Sequence, residues 1–377
     1  MTRIVEIFWF FLKAGAYSFG EPEHHISLMH NELVTKKHIL DEETFARYKK
    51  ESASLPGYGS IQLAMKIGLN RRGVLGMLVA GLAFIIPSVL LMLVFALYYR
   101  EFVNGKFKLV DSFFYGIRAA VVSILLFTTL VYGIRYIKDV KLFIIFIIVT
   151  IASILGLNAV LLLLLGGFTY VLLRNTNAAK KAATFFILQV QPQFVLPLAD
   201  NQKLLGLFLK IGAFMIGSIY FFVAWVKTDL VDAGLLPLNT LLDSVALGLF
   251  VPGPIFSVSV FIGYILSSWN GAMLALLGVM TPIFLFALIG NKILPKFLST
   301  LMWRSFYRGV TVGSIGIIMG IILMIGYQSL LDIRQWIIFI VCFLIMLKWS
   351  RLNVLWIIII ATNLGYIILH FFPVPLK

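Results

Sequence analysis

Between Gly73 and Arg100 the chain carries no charged residue. A membrane-spanning helix needs about 20 mostly apolar residues, and this stretch supplies them. The same reading along the chain gives spans at approximately 4–20, 74–99, 110–134, 139–156, 157–173, 204–226, 271–291, 308–327, 333–347 and 352–372. Arg3 precedes the first span, but Lys13 interrupts it and no small-residue cleavage site follows. The segment 4–20 therefore reads as a membrane helix that stays attached.

Two regions break the pattern. Residues 21–72 are mixed in polarity, with Asp41, Glu42 and Glu43 opening a helical stretch and Lys49 and Lys50 closing it, in the order the helix dipole favours. Leu55-Pro56-Gly57-Tyr58-Gly59 follows, then a short apolar run to Gly68. Residues 236–268 repeat the theme around Val251-Pro252-Gly253-Pro254. Each apolar limb is too short to cross a bilayer, and Pro-Gly cannot continue a helix. Both regions read as re-entrant hairpins or broken helices, which membranes tolerate only inside protein or beside a water-filled cavity.

The halves also match in sequence. Phe11-Leu12-Lys13-Ala14-Gly15-Ala16 pairs with Phe208-Leu209-Lys210-Ile211-Gly212-Ala213, Leu55-Pro56-Gly57 with Val251-Pro252-Gly253, and Ile67-Gly68 with Ile262-Gly263. Gly76, Pro87, Gly116 and Leu157-Asn158 find partners in Gly271, Pro282, Gly309 and Leu352-Asn353. The near-constant offset indicates a duplication, with repeats over 1–174 and 204–377 joined by a linker over 175–203. Five spans and one returning hairpin per repeat invert the second repeat relative to the first.

Composition and charge narrow the function. The chain is 61% hydrophobic and 12% charged, against roughly 45–50% and about 25% for soluble domains. A soluble enzyme, a disordered chain and a nucleic-acid-binding domain are excluded as first readings. The net charge of +15 belongs mostly to loops between spans, where basic residues mark the cytoplasmic face. They gather beside the first hairpin (Lys36, Lys37, Arg47, Lys49, Lys50, Arg71, Arg72) and in the linker (Lys180, Lys181). That side reads as inside and both termini as outside. A single cysteine, Cys342, excludes an intrachain disulfide framework.

The Pro-Gly breaks are the best candidates for chemistry. A helix that starts at membrane depth offers unbonded amides and a positive dipole end to an anion. The candidates are Pro56, Gly57, Tyr58, Gly59 and Ser60 at the first break, and Pro252, Gly253, Pro254, Ser257 and Ser259 at the second. Lys13 and Lys210 hold one repeat position inside apolar spans and could set two positive charges near a pseudo-symmetric centre; snorkelling to the headgroups is the alternative. Glu51 and Asp243 are candidate proton-coupling carboxylates, or solvated residues at hairpin mouths. His24, His25, His30 and His38 lack the i, i+3 or i, i+4 spacing of metal ligands and read as the polar face of an interfacial helix over 22–38. No Walker sequence or Gly-x-Ser-x-Gly elbow is present.

Phe19-Gly20-Glu21-Pro22 with His25-Ile26, Leu55-Pro56-Gly57 with Gln62-Leu63-Ala64 and Ile67-Gly68, and Gly248 with Pro252-Gly253-Pro254 and Phe261-Ile262-Gly263-Tyr264 resemble the signature segments of the chromate ion transporter family, in its long two-domain form. Glu21 stands where that family usually has Gly, and Tyr58 where it has Pro. The resemblance covers nearly the whole chain. It implies an inner-membrane carrier of chromate, with sulfate as the natural mimic, coupled to protons, and it draws Phe19 and Gly20 into the substrate site.

The expectation is thus an all-α polytopic membrane protein of two inverted-topology repeats, each with about five transmembrane helices and a re-entrant or broken-helix hairpin. It would be a secondary active transporter of an inorganic oxyanion, not an enzyme, with no cofactor or metal, rocking one repeat against the other. Its partners would be the anion, the bilayer and a possible second copy, with no nucleic acid. A carrier of organic anions and a non-transporting scaffold are the alternatives.

Overall fold

The computed structural model describes residues 3–20, 22–53, 55, 57–103, 108–174, 201–215, 221–298, 300–349 and 352–372. Glu21, Pro56 and linker residues 175–200 lie outside them. The first half forms α1 (Ile4–Tyr17), α2 (Pro22–His30) running into a π-helical turn over Asn31–Lys36, α3 (Glu42–Ser52), α4 (Gly59–Val103), α5 (Lys108–Tyr136), α6 (Val140–Ile154) and α7 (Ala159–Arg174). The second half repeats the series: α8 (Asn201–Ala213), α9 (Phe221–Val226) running into a π-helical turn over Lys227–Val231, α10 (Leu238–Phe250), a 3-10 turn at Ile255–Ser257, α11 (Val258–Leu298), α12 (Leu301–Ser329), α13 (Ile333–Lys348) and α14 (Val354–Phe371).

Among the described residues, five helices are long and apolar enough to cross a membrane: Gly59–Tyr99, Phe113–Tyr136, Ile255–Gly290, Leu301–Ser329 and Val354–Phe371. At about 1.5 Å per residue, the 45 residues of α4 would extend some 68 Å if straight, over twice the apolar thickness. It folds back instead. Arg72 (φ −145°, ψ 28°) and Gly73 (φ 62°, ψ −153°) make a sharp turn, and Ser267 (φ −147°, ψ 37°) and Ser268 (φ 49°, ψ −141°) make the same turn in α11. The short arm 59–71 then lies against the long arm after the turn. A Cβ on Gly68 would collide with the Gly76 carbonyl oxygen, and one on Gly263 with that of Gly271, so only glycine permits the approach. The expected re-entrant hairpins are therefore present in both halves, with α3 and α10 as their first limbs. Asp41 caps α3 by accepting the Thr44 amide.

One expected span ends early and another is not a single helix. The segment 4–20 is helical to Tyr17, and a new helix starts at Pro22; the segment 204–226 leaves helix after Ala213, and Phe221–Val226 is helical. Gly20 has φ +89°, and Pro22 has no N–H to offer a continuing α1. Each half thus has two interruptions, one in its first span and one at its hairpin tip.

Packing interlocks the halves. α1 lies on α4, and α8 on α11. α6 and α7, however, pack on α12 of the other half, while α13 and α14 pack on α5. The pairs α4–α11 and α5–α12 meet across the pseudo-two-fold axis. The result is two bundles, each built from both repeats: α1–α4 with α8–α11, carrying all four breaks, and α5–α7 with α12–α14, carrying none. Contacts between bundles are much sparser, chiefly α10 with α5 and α9 with α12. Rocking one repeat against the other, as expected from the sequence, would tear both α6–α7–α12 and α13–α14–α5.

Candidate functional site

The four breaks meet by a reciprocal pair of hydrogen bonds. The Gly253 amide donates to the Ser18 carbonyl (2.6 Å), and the Gly57 amide donates to the Met215 carbonyl (2.7 Å). Ser18 and Met215 hold equivalent repeat positions, as do Gly57 and Gly253. Each hairpin tip is thus seated in the broken first span of the other half. Gly57 (φ +110°) and Gly253 (φ +96°) adopt backbone that L side chains rarely take. A Cβ on Gly57 would lie 3.2 Å from Ile283, and one on Gly253 3.1 Å from Ser88. The amide of Gln62 reaches across to the Ile283 carbonyl (3.2 Å).

These bonds change the expected donor set. The amides of Gly57 and Gly253 face the opposite repeat. The Tyr58 carbonyl accepts from Ile61 and Gln62, so the amides of Gly59 and Ser60 begin α4 ahead of its first helical bond. In the other half Ile255 and Phe256 hold that place, behind Pro254 as N-cap.

Polar side chains surround the crossing. Tyr58 is 2% exposed, and Ser60, Ser257, Ser259 and His25 are 0% exposed. Among the described residues, Ser18 Oγ, His25 Nε2, Ser257 Oγ and Ser259 Oγ are buried without a hydrogen-bond partner. Most buried polar groups are satisfied, so this grouping at the breaks marks them out. His25 Nδ1 lies 3.1 Å from Ser60 Oγ. Its ring packs on Tyr58 (5.7 Å) and Phe84 (5.6 Å), and Tyr58 in turn meets Phe256 of the other half (6.3 Å). The Tyr58 hydroxyl points at the Gly20 carbonyl (3.5 Å). Phe19, Gly20 and Pro252 are half-buried, and Pro254 is buried. Gly20 and His24 also line a cavity of about 270 Å³ with Thr128, Trp349 and Asn353, at the seam between the bundles.

The lysines stand elsewhere on their helices. The buried stripe of α1 is Ile7, Phe11, Ala14 and Gly15. Lys13 is exposed, in a cavity of about 610 Å³ with Glu6, Trp9, Glu32 and Lys37. Lys210 pairs with Asp229 at 2.8 Å and lies over the Trp225 ring at 4.3 Å. They are not two bare charges at the crossing.

Asp243 is fully buried, which removes the solvated alternative. Arg118 grips it with Nε on Oδ1 (2.7 Å) and Nη2 on Oδ2 (2.8 Å), and the Tyr99 hydroxyl donates to Oδ2 (2.7 Å). The cluster bridges bundles: Tyr99 and Asp243 belong to the break-bearing one, Arg118 to the other. Glu51 pairs with Lys66 at 2.6 Å inside the first hairpin. The histidine-rich segment is not simply a polar face, because His25 is buried in the core; His30 does face outward, bonding Glu42 (2.7 Å).

The family model described as Chromate transporter matches the chain twice, over residues 5–171 and 202–366. The chain belongs to the chromate transporter family. Tandem matching accords with the two inverted repeats seen in the fold. Among relatives in this transporter family, the chain is 28% identical over 340 residues to a probable chromate transport protein of Synechococcus elongatus, covering 87% of this chain and 86% of the relative. It is 28% identical over 330 residues to a chromate transport protein of Pseudomonas aeruginosa, covering 83% and 79%. It is 26% identical over 381 residues to a chromate transport protein of Cupriavidus metallidurans, covering 97% and 94%. No solved structure matches the chain.

Sequence reasoning missed Ser18 and Tyr99, and it gave His25 and Arg118 no part in the site. His25 was itself a signature residue, but the histidines were read as the polar face of an interfacial helix and their spacing was weighed only against metal binding. Arg118 was visible as a charge inside an apolar span, yet its partner lies 125 residues away.

Proposed function

We propose that this protein carries a small tetrahedral oxyanion, of the chromate or sulfate class, through the crossing of the four breaks. The observation that supports this most is the gathering of helix starts and unpartnered buried polar atoms around Ser18, Ser60 and Ser257. An acceptor-only solute suits amide and hydroxyl donors. The names of the relatives point to the same solute class. Gly59, Ser60, Ser257 and the Phe19-Gly20 break are its contacts, Pro252, Gly253 and Pro254 shape the second tip, and Gly57 locks the first; Pro56 lies outside the described residues. Lys13 and Lys210 act as flanking charges rather than ligands.

Alternating access would move the break-bearing bundle against the six-helix bundle. Asp243, held by Arg118 across the seam, is the coupling group: a proton there would release Arg118 and loosen the bundles. Glu51 plays the equivalent part within the first hairpin. The excess of basic residues in the loops supports a cytoplasmic side for that hairpin and the linker in a cell membrane, with both termini outside.

The test is uptake of labelled chromate, sulfate, molybdate, phosphate and small carboxylates into proteoliposomes, with and without a pH gradient. The reading expects saturable flux of at least one tetrahedral oxyanion, increased by the gradient. Flux of carboxylates alone, or of no solute, would contradict it.

A further inference from the structure

We infer that His25 is a direct ligand of the transported oxyanion, donating through Nε2. The inference rests on reading the crossing as the oxyanion site, and gives a role to a residue that lies outside the Pro-Gly breaks. His25 sits in the first turns of α2 and faces the first turn of α4. Two helix starts therefore direct their positive ends to the same place. The ring is 0% exposed and wedged between Tyr58 and Phe84, so its orientation is fixed.

The two ring nitrogens have separate tasks. Nδ1 is 3.1 Å from Ser60 Oγ. With the Ser60 hydroxyl donating to Nδ1, the neutral ring carries its proton on Nε2. That nitrogen is buried and has no partner among the described residues. A buried N–H without an acceptor is costly, and an oxyanion is an acceptor at every oxygen. Ser18 Oγ and Ser257 Oγ, equally unpartnered, stand at the two breaks joined by the Ser18–Gly253 bond. The second half has no counterpart to His25: the two offsets that pair Ser18 with Met215 and Gly57 with Gly253 bring it to Phe222 or Phe221, both buried. The solute is accordingly held off the pseudo-two-fold axis, toward the first repeat.

Two substitutions separate ligand from scaffold. In His25→Gln the terminal amide reaches the place of Nε2; in His25→Asn it reaches only the place of Nδ1. Dissociation constants for chromate and sulfate would be measured on purified wild type and both variants, with thermal melting as a check on folding. A ligand role predicts that His25→Gln stays within about threefold of wild type, while His25→Asn binds at least about tenfold more weakly, the loss of one hydrogen bond to a charged group. Retention in His25→Asn with loss in His25→Gln would show that His25 only props Ser60. Unchanged binding in both would also overturn the inference. Wild type that binds no oxyanion would instead sink the site reading beneath it. If both variants misfold, a structure of the wild type with chromate decides: an anion oxygen within hydrogen-bond distance of Nε2 supports the ligand role, and a bound anion away from it ends the proposal.

Discussion

A carboxylate with no exposed surface, such as Asp243, costs several kcal/mol unless charge and hydrogen bonds meet it. The bidentate Arg118 fork and the Tyr99 hydroxyl meet it on both oxygens. Removing one partner strands the other. We expect Arg118→Ala to lower stability by about 3–5 kcal/mol, and Arg118→Met with Asp243→Leu together to recover most of it, by thermal melting in detergent. The double variant should nevertheless lose the pH-gradient stimulation of uptake, which a merely structural pair would not control. Hydropathy made Asp243 and Arg118 conspicuous one by one, as charges in apolar stretches. It could not join them, because their contact crosses from one repeat to the other. The same blindness affected Lys210, whose costly position is explained by Asp229 and the Trp225 face.

At the scale of elements, Gly253 ties the second hairpin tip to the broken first span. Gly253→Ala would strain a backbone at φ +96° and press on Ser88, a cost of about 1–3 kcal/mol. Gly234 (φ +72°) offers a control, since a Cβ there meets nothing within 4 Å. We expect Gly253→Ala to cut oxyanion uptake about tenfold or more, the rate equivalent of about 1.4 kcal/mol. Gly234→Ala should leave uptake unchanged at similar membrane abundance. Equal loss in both would mean that strain, not the crossing, matters. The hairpins were readable because Pro-Gly interrupts them and their apolar limbs are short. The break after Ala213 was not, because apolar residues continue from Phe214 and an averaged hydropathy sees one span; the first break was placed at 20, a little past Tyr17. Gly20 and Pro22 were the local signal, and they became informative once Gly20 was seen at φ +89°.

The whole molecule is divided across its repeats rather than between them. The near-constant offset of the Gly, Pro and Lys matches made the duplication plain, and the odd number of spans made it inverted. Nothing in one repeat announces that α6 and α7 will lie on α12 of the other, since apolar helix faces are interchangeable until packed. That exchange decides what can move. Two cysteine pairs in a Cys342→Ala background put it to the test. Ile117→Cys with Ala246→Cys joins α5 to α10, across the seam and one cavity of about 280 Å³, through a short bifunctional thiol reagent. Val149→Cys with Gly316→Cys joins α6 to α12, where a Cβ on Gly316 would sit 3.2 Å from that of Val149. The second pair links different repeats but stays within the six-helix bundle. Oxyanion uptake should stop when the α5–α10 pair is linked, return on cleavage of the linker, and persist with the α6–α12 pair closed. Uptake that survives the first link and is abolished by the second would mean that the repeats themselves are the moving bodies.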